Sequence, residues 1–556
     1  MASRPASNPQ AEAAAQASWI PMLIIALAQI QMAFNINSLQ VLIGDIVGEF
    51  NTTPGSVSTA LVVYSLAVAG FVMLGAKIGQ LLGARLVFQA SVLVLSGAMA
   101  GMALSAGPSG MVQYQGLAGL AAAVLVPTLV VLIATHYKGK QQAQALGYLG
   151  ASQAAAGVLA FLISGALGTF LSWRYAFFLL VLLGILVFVL SFRLRPVERQ
   201  PGVKIDWNGA LLAAVSIALI SLGFNYLNDW GVLLARSAAP FNVLGLSPAP
   251  IMIVAGVLLG QLFLVWTKLR QTARQPTLIA PEVLDSVEER AATYVLLVVG
   301  ALGPAVNFLI PLYIQIVQGR TSLFTAVAVI PYSLAIFAGT AFIVRLFDRF
   351  APRVIGAASF VVVATGLTML AFTVSNSWGT PLVILSLIVL GLGEGALLTL
   401  VFNVLVSASP KELAGDVGAL RGTANNLSTA LGTAIIAALA VGILSALVTS
   451  SVANNPATPP ALLSQLNLDN VNFISNEQLD EVLAGTTATP EQAAEAARIN
   501  EETRLRALKA CFLILAGMAL LAIYPATRLP GYVPGEIPSD QQAPAVERRK
   551  RPAPAA

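Results

Sequence analysis

The chain has 556 residues, of which 57% are hydrophobic and only 10% charged, with a formal net charge of +5. A soluble globular domain carries about 25% charged residues, so an ordinary soluble fold is excluded. A single cysteine, Cys511, rules out an internal disulfide, and a single histidine, His136, rules out a multi-histidine metal centre. Cys511 reads as a small packed apolar residue. No Walker-type phosphate loop and no glycine-rich dinucleotide fingerprint after a strand is found, so neither an ATP-driven pump nor a bound cofactor is expected. There is also no nucleophile–base set of the kind an enzyme would need.

Residues 1–18 are polar and Ala-rich and are expected to be disordered. From residue 19 onward, apolar runs of about 20 residues recur, the length that crosses about 30 Å of hydrocarbon as a helix. In lipid each backbone N–H and C=O must be paired within its own segment, so such runs are helices. A transmembrane barrel would instead show alternating segments of about 10 residues, which are absent. The spans are placed at 19–43, 56–79, 86–106, 111–135, 144–170, 174–194, 208–227, 249–268, 291–317, 322–345, 354–375, 381–407, 416–447 and 508–527. They are called spans 1 to 14 below.

Orientation follows from the basic residues. With a cytoplasmic N-terminus, 23 of the 30 Lys and Arg fall in cytoplasmic segments. The other seven are Arg174, Arg236, Arg320, Arg498, Arg504, Arg506 and Lys509. Four of these lie in or beside one long loop, where the positive-inside rule is weak. Both termini are therefore expected in the cytoplasm. This placement of charge, rather than nucleic-acid binding, accounts for the basic pI of 9.3. The six tryptophans all fall near span ends, where interfacial anchors sit.

Several polar residues interrupt the apolar runs. In span 1, Gln31, Asn35 and Ser38 share one helical face, with Asn37 and Gln40 on an adjacent strip. They are expected to line a wet cavity, the alternative being hydrogen bonds between helices. Asn307, Tyr313 and Gln315 in span 9, and Asn425 and Asn426 in span 13, are candidates for the facing wall. Asp45 and Glu49 read as solvated residues at the outer end of span 1. Glu394 lies near the middle of span 12 among Gly391, Gly393 and Gly395. A charge at the bilayer centre costs about 2.5–3.5 kcal/mol on the insertion scale, so Glu394 is the leading proton- or cation-binding candidate. The alternative is a structural pair with Arg421 in span 13. Residues 448–507 form a polar extracytoplasmic loop, in which Glu491 to Lys509 reads as helix running toward span 14. A protein partner could dock on this loop. Residues 528–556 form a Pro-rich tail with a basic end suited to anionic lipid.

Four stretches resemble the fourteen-span drug–proton antiporter branch of the major facilitator superfamily. They are Ser172-Trp173-Arg174-Tyr175-Ala176-Phe177 at the start of span 6, and Asn307 through Gly319 with its Pro311-Leu312-Tyr313-Ile314-Gln315 core. The other two are Asp206-Trp207-Asn208-Gly209 at the start of span 7, and Gln115-Gly116 in span 4. The resemblance implies an all-α membrane fold. A six-helix bundle occupies 19–194, a linker with inserted spans 7 and 8 occupies 195–290, and a second six-helix bundle occupies 291–527. It also implies alternating access by inverted repeats. Departures from the family pattern are specific. Asn35 stands where the family has a membrane Asp, and Val112 where it has Arg. Gln80 replaces the acid of the gate loop after span 2, while Gly83 is kept beside Arg85. The span 5 antiporter motif is reduced to Ala160 through Gly165. The second-half gate loop keeps Asp348 and Arg349, with Arg353 beyond. An amide cannot release a proton, so any coupling shifts toward Glu394 and Arg421. The expected function is efflux of a small amphipathic or lipophilic compound, with protons as the candidate coupling ion, from a multi-pass protein of the cell membrane. The contrasting reading is a degenerate transporter fold serving as a non-transporting partner or sensor.

Overall fold

A computed structural model describes residues 18–137, 139–196, 199, 202, 204–236, 238–278, 287–346, 349–375, 381–408, 414–453, 473, 476–484 and 489–531. The amino-terminal segment before residue 18, Asp348, most of the 454–475 stretch and the basic tail after residue 531 lie outside these residues.

Fourteen described helices are long and apolar enough to cross a membrane. Spans 1 to 6 are Ile20–Val41, Pro54–Leu82, Ala84–Ala103, Pro108–His136, Gly139–Phe170 and Arg174–Ser191. Spans 7 and 8 are Trp207–Asn225 and Pro248–Thr272. Spans 9 to 14 begin with Val287–Pro311, which continues as a π-turn over Leu312–Val317, followed by Ser322–Leu346, Pro352–Thr373, Pro381–Ala408, Ala414–Ala453 and Pro490–Leu521. Proline opens spans 2, 4, 8 and 11, where its missing N–H costs nothing and its fixed φ suits a first turn. Gly83, at φ +93°, ends span 2 and lets the chain turn directly into span 3. A side chain is disfavoured at that angle.

The last helix is one continuous rod from Pro490, opened by a capping box between Thr489 and Gln492. At 32 residues it is about 48 Å long, more than a bilayer core requires. The helical reading of 491–509 thus joins span 14 without a break. The surplus carries a surface ladder in which Arg498 pairs with Glu495 and Glu502.

Two six-helix bundles result. Spans 1 to 6 pack among themselves, as do spans 9 to 14. Span 2 meets span 13 and span 5 meets span 10 across the junction. Spans 7 and 8 form a tight pair, helped by Gly223 and Gly256 and by the Ser216 hydroxyl donating to the Gly256 carbonyl at 2.8 Å. The pair leans on span 2, with Ala214 close to Gly70, and reaches span 13. Asp206 fastens its start. It caps span 7 through the Gly209 N–H at 3.0 Å and accepts from the Trp266 indole at 3.2 Å. Arg270 completes this node at 3.6 Å. The Asp-x-x-Gly stretch is therefore a helix cap that also clamps span 8.

Candidate solute and coupling site

The polar face of span 1 is not a cavity wall in this conformation. Gln31 is buried, and its amide nitrogen donates to Ser96 Oγ of span 3 at 3.2 Å and to the Leu180 carbonyl of span 6 at 3.1 Å. Asn35 is buried and forms a reciprocal amide pair with Gln115 of span 4, both bonds at 2.9 Å. Ser38 donates to its own helix at Phe34 and meets Ser164 of span 5 at 2.7 Å. The stripe therefore ties span 1 to its four neighbours within the bundle. A buried amide without partners costs more than one that is paired, and three spans offer partners at the right depth. Asn37, on the adjacent strip, is half-buried and donates to Ala33 at 2.7 Å.

Glu394 is buried near the middle of span 12. Its Oε2 accepts a short hydrogen bond from the Tyr332 hydroxyl of span 10, itself buried. Its Oε1 lies against Gly303 of span 9, where a Cβ would sit 2.1 Å from that oxygen. The pairing with Arg421 does not form. Arg421 is exposed about 10 Å inside its end of span 13, whereas Glu394 is about 21 Å from the same end of span 12. Tyr332 was missed in the sequence, although its depth could have been counted. It lies 10 residues into span 10 and Glu394 13 residues into span 12, both from the same side. Asn307 is one helical turn from Gly303 on the same face of span 9 and half-buried, and its side chain makes no hydrogen bond among the described residues. Asn425 of span 13 is likewise half-buried, with only its carbonyl engaged, by Ser428 and Thr429.

A second cluster seals the molecule at the face opposite the N-terminus. The helix of span 1 breaks at Leu42 and resumes as a short helix, Ile43–Phe50. Gln315 reaches this break from the π-turn that ends span 9, a local distortion often found where function needs a re-aimed side chain. Its Oε1 accepts from the Gly44 N–H at 2.6 Å, and its Nε2 donates to the Val41 carbonyl at 2.6 Å and to Thr325 Oγ1 at 3.2 Å. Gly44 is required, because a Cβ there would lie 2.6 Å from Gln315 Oε1. Nearby, Ser322 donates to Asp45 at 2.5 Å, and the Leu323 N–H donates to Thr169 at 3.0 Å. Gly165 brings span 5 against Ser322 and Ala326. All four hydrogen bonds described between the bundles lie at this end.

Asp45 is thus a half-buried seam residue rather than a solvated one, and burial raises its carboxyl above the usual range against a smaller opposing effect of Ser322. Glu49 is also engaged. It receives the Arg174 guanidinium at 2.7 Å and the Trp173 indole at 2.5 Å. Arg174 donates in addition to the carbonyls of Ala103 and Ser105. The Ser-Trp-Arg stretch therefore knots the ends of spans 1, 3 and 6. Tyr313, placed in the cavity set, is buried and accepts from Gln318 at 3.2 Å.

The gate-loop residues are dispersed at the N-terminal face. Arg85 donates to the Phe192 carbonyl at 2.9 Å, which joins span 3 to the end of span 6. Gln80 is half-buried. Arg349 and Arg353 are exposed, and the Arg353 backbone N–H meets Pro530 at 3.3 Å. Among the described residues no group of three or more His, Cys, Asp and Glu could hold a metal ion.

The family model for the Major Facilitator Superfamily matches residues 25–433. Puromycin resistance protein pur8 of Streptomyces alboniger is 24% identical over 429 residues, which cover 75% of this chain and 81% of that one. Cephamycin export protein CmcT of Amycolatopsis lactamdurans is 25% identical over 422 residues, covering 75% and 83%. The tetracenomycin C resistance and export protein of Streptomyces glaucescens is 24% identical over 380 residues, covering 67% and 66%. Among solved structures, a bacterial homologue of the human lysosomal transporter Spinster, inward-facing and unoccupied, superposes with a TM-score of 0.56 at 14% identity. The match covers 91% of this chain and 96% of that one and shows a shared fold.

Proposed function

This chain belongs to the Major Facilitator Superfamily as a secondary transporter of the efflux type, and from that premise we propose how it works. The exported solute is a small amphipathic compound, of the kind suggested by the resistance and export names of the relatives. Protons drive the export through Glu394. The protein sits in the cell membrane with both termini in the cytoplasm, so the seam of Gln315 and Asp45 is the outer gate and the described conformation is closed to the outside.

The observation that carries this reading is the environment of Glu394. It is a carboxyl at mid-span with a phenol donor and no Lys or Arg within ion-pair distance among the described residues. A carboxyl held this way can take up a proton without breaking an ion pair, and such residues in membrane interiors mark proton and solute paths. Gly303 and Asn307, on one face of span 9, connect this acid to the place where a solute would lie. The exporter names of the relatives favour transport over the partner or sensor reading.

The test uses purified protein in liposomes, an imposed pH gradient and puromycin or a lipophilic dye as probe. Glu394→Gln is expected to abolish gradient-driven flux while leaving probe binding within a few-fold. Undiminished flux in that variant removes Glu394 from the mechanism.

A further inference from the structure

A groove of about 730 Å³ opens between spans 9 and 14 at the N-terminal face, on the outside of the second bundle and away from the site above. Its volume lies within the range of small-molecule sites. The two walls run antiparallel and are layered alike. Arg290 and Arg528 stand at the mouth. One turn deeper come Tyr294 and Tyr524, 62% and 65% exposed. Deeper still the lining is Val298, Met518 and Leu521. From Arg290 to Val298 the helix rises about 12 Å, which carries the groove from the headgroup level well into the hydrocarbon.

The charges of the mouth are of one sign. Arg290 is exposed and makes no hydrogen bond or ion pair to a described residue. Arg528 is exposed too. It donates one short bond to the Tyr524 hydroxyl and lies 4.6 Å from that ring, which leaves its other N–H groups unused by these contacts. No acid lines the groove. The nearest in sequence are Glu288, half-buried, and Glu289, which is 1% exposed and points into the bundle. Guanidinium groups match phosphate geometry, tyrosines favour the membrane interface, and the apolar floor suits an acyl chain. Basic pockets between spans are a recurrent way to hold acidic headgroups.

We propose that this groove binds one anionic phospholipid, its phosphate between Arg290 and Arg528 and one acyl chain against Val298, Met518 and Leu521. Neither Arg belongs to the solute site or the seam, so the proposal stands or falls independently of the proton-coupled reading.

The experiment is native mass spectrometry of the full-length protein, released from mixed vesicles of phosphatidylglycerol and phosphatidylcholine with matched chains. The parent is expected to retain one phosphatidylglycerol in preference to phosphatidylcholine. Arg290→Ala with Arg528→Ala is expected to lower that preference about thirtyfold, two basic contacts' worth. Val298→Trp, which fills the floor and keeps both charges, is expected to reduce retention of the lipid while the protein remains monodisperse. Equal retention of the two lipids by the parent overturns the proposal, as does unchanged preference in the double Ala variant. Inorganic phosphate displacing the lipid at millimolar concentration would show an anion site without a lipid and would also overturn it.

Discussion

Removing the Gln315 side chain is the sharpest test of the seam. Gln315→Ala deletes two cross-bundle hydrogen bonds of 2.6 Å, to the Gly44 N–H and the Val41 carbonyl, and leaves both groups at the break in span 1 without that partner. A neutral hydrogen bond contributes about 0.5–1.5 kcal/mol net, so the sealed state loses about 1–3 kcal/mol relative to a state in which the bundles part at this end. The expected shift in the sealed-to-open ratio is roughly 5- to 150-fold. The loss within the second bundle itself is small, because Thr325 of span 10 keeps its bond to the Thr321 carbonyl. The assay is labelling by a membrane-impermeant maleimide of Asn307→Cys, a position two turns deeper than Gln315. The single native thiol, Cys511, is fully buried and gives little background. Labelling from the face opposite the N-terminus is expected to accelerate about tenfold in Gln315→Ala. An unchanged rate, with the protein folded, would refute the assignment of Gln315 as a gate latch.

The other expectations concern the same two sites and the knot beside them. Gly303→Ala places a Cβ 2.1 Å from Glu394 Oε1 and is expected to impair transport as Glu394→Gln does, whereas Gly517→Ala, with nothing within 4 Å of its Cβ, is expected to be silent in the same flux assay. Asp45 gives the seam a pH dependence whose sign is fixed by burial. Its carboxyl is raised in the sealed state, so protonation favours sealing; that stabilisation is full below the ordinary carboxylate pKa and fades as pH rises through the raised value. Labelling of Asn307→Cys should therefore slow on acidification, and Asp45→Asn should make it slow and flat with pH; a steep profile in that variant would assign the dependence elsewhere. Arg174→Ala leaves the carbonyls of Ala103 and Ser105 without their donor and leaves Glu49 with the Trp173 indole alone, and is expected to lower stability by about 2 kcal/mol or more, read as a drop in Tm of the solubilised protein. An unshifted Tm would mean that the knot is dispensable.

Much of the architecture was legible in the sequence because lipid leaves the backbone so few choices. Each apolar run must be a helix, and thirteen of the fourteen described spans lie within about six residues of the positions read from hydropathy, while the helix of span 14 begins at Pro490, well before residue 508. The Ser-Trp-Arg and Asp-x-x-Gly stretches stood out by their resemblance to the family pattern, and Gln315 also as a polar residue inside a span, where such groups are expensive and need partners. What those partners are was not legible. The stripe of Gln31, Asn35 and Ser38 fixes a helix face, and a face can look into a cavity or at a neighbouring helix with the same spacing. Ser96, Gln115 and Ser164 decide the matter only once spans 3, 4 and 5 are placed around span 1. Glu394 was visible as an isolated membrane acid, but its partner is Tyr332 and not Arg421, because depth along two separate helices selects who can touch. Asp45 looked like a surface acid and lies in the seam, since the other bundle supplies Ser322 from 277 residues away. Periodicity and solvation energy act along one segment and are written in its residues. Contacts between segments depend on helix order, tilt and depth, and these the tertiary structure alone decides.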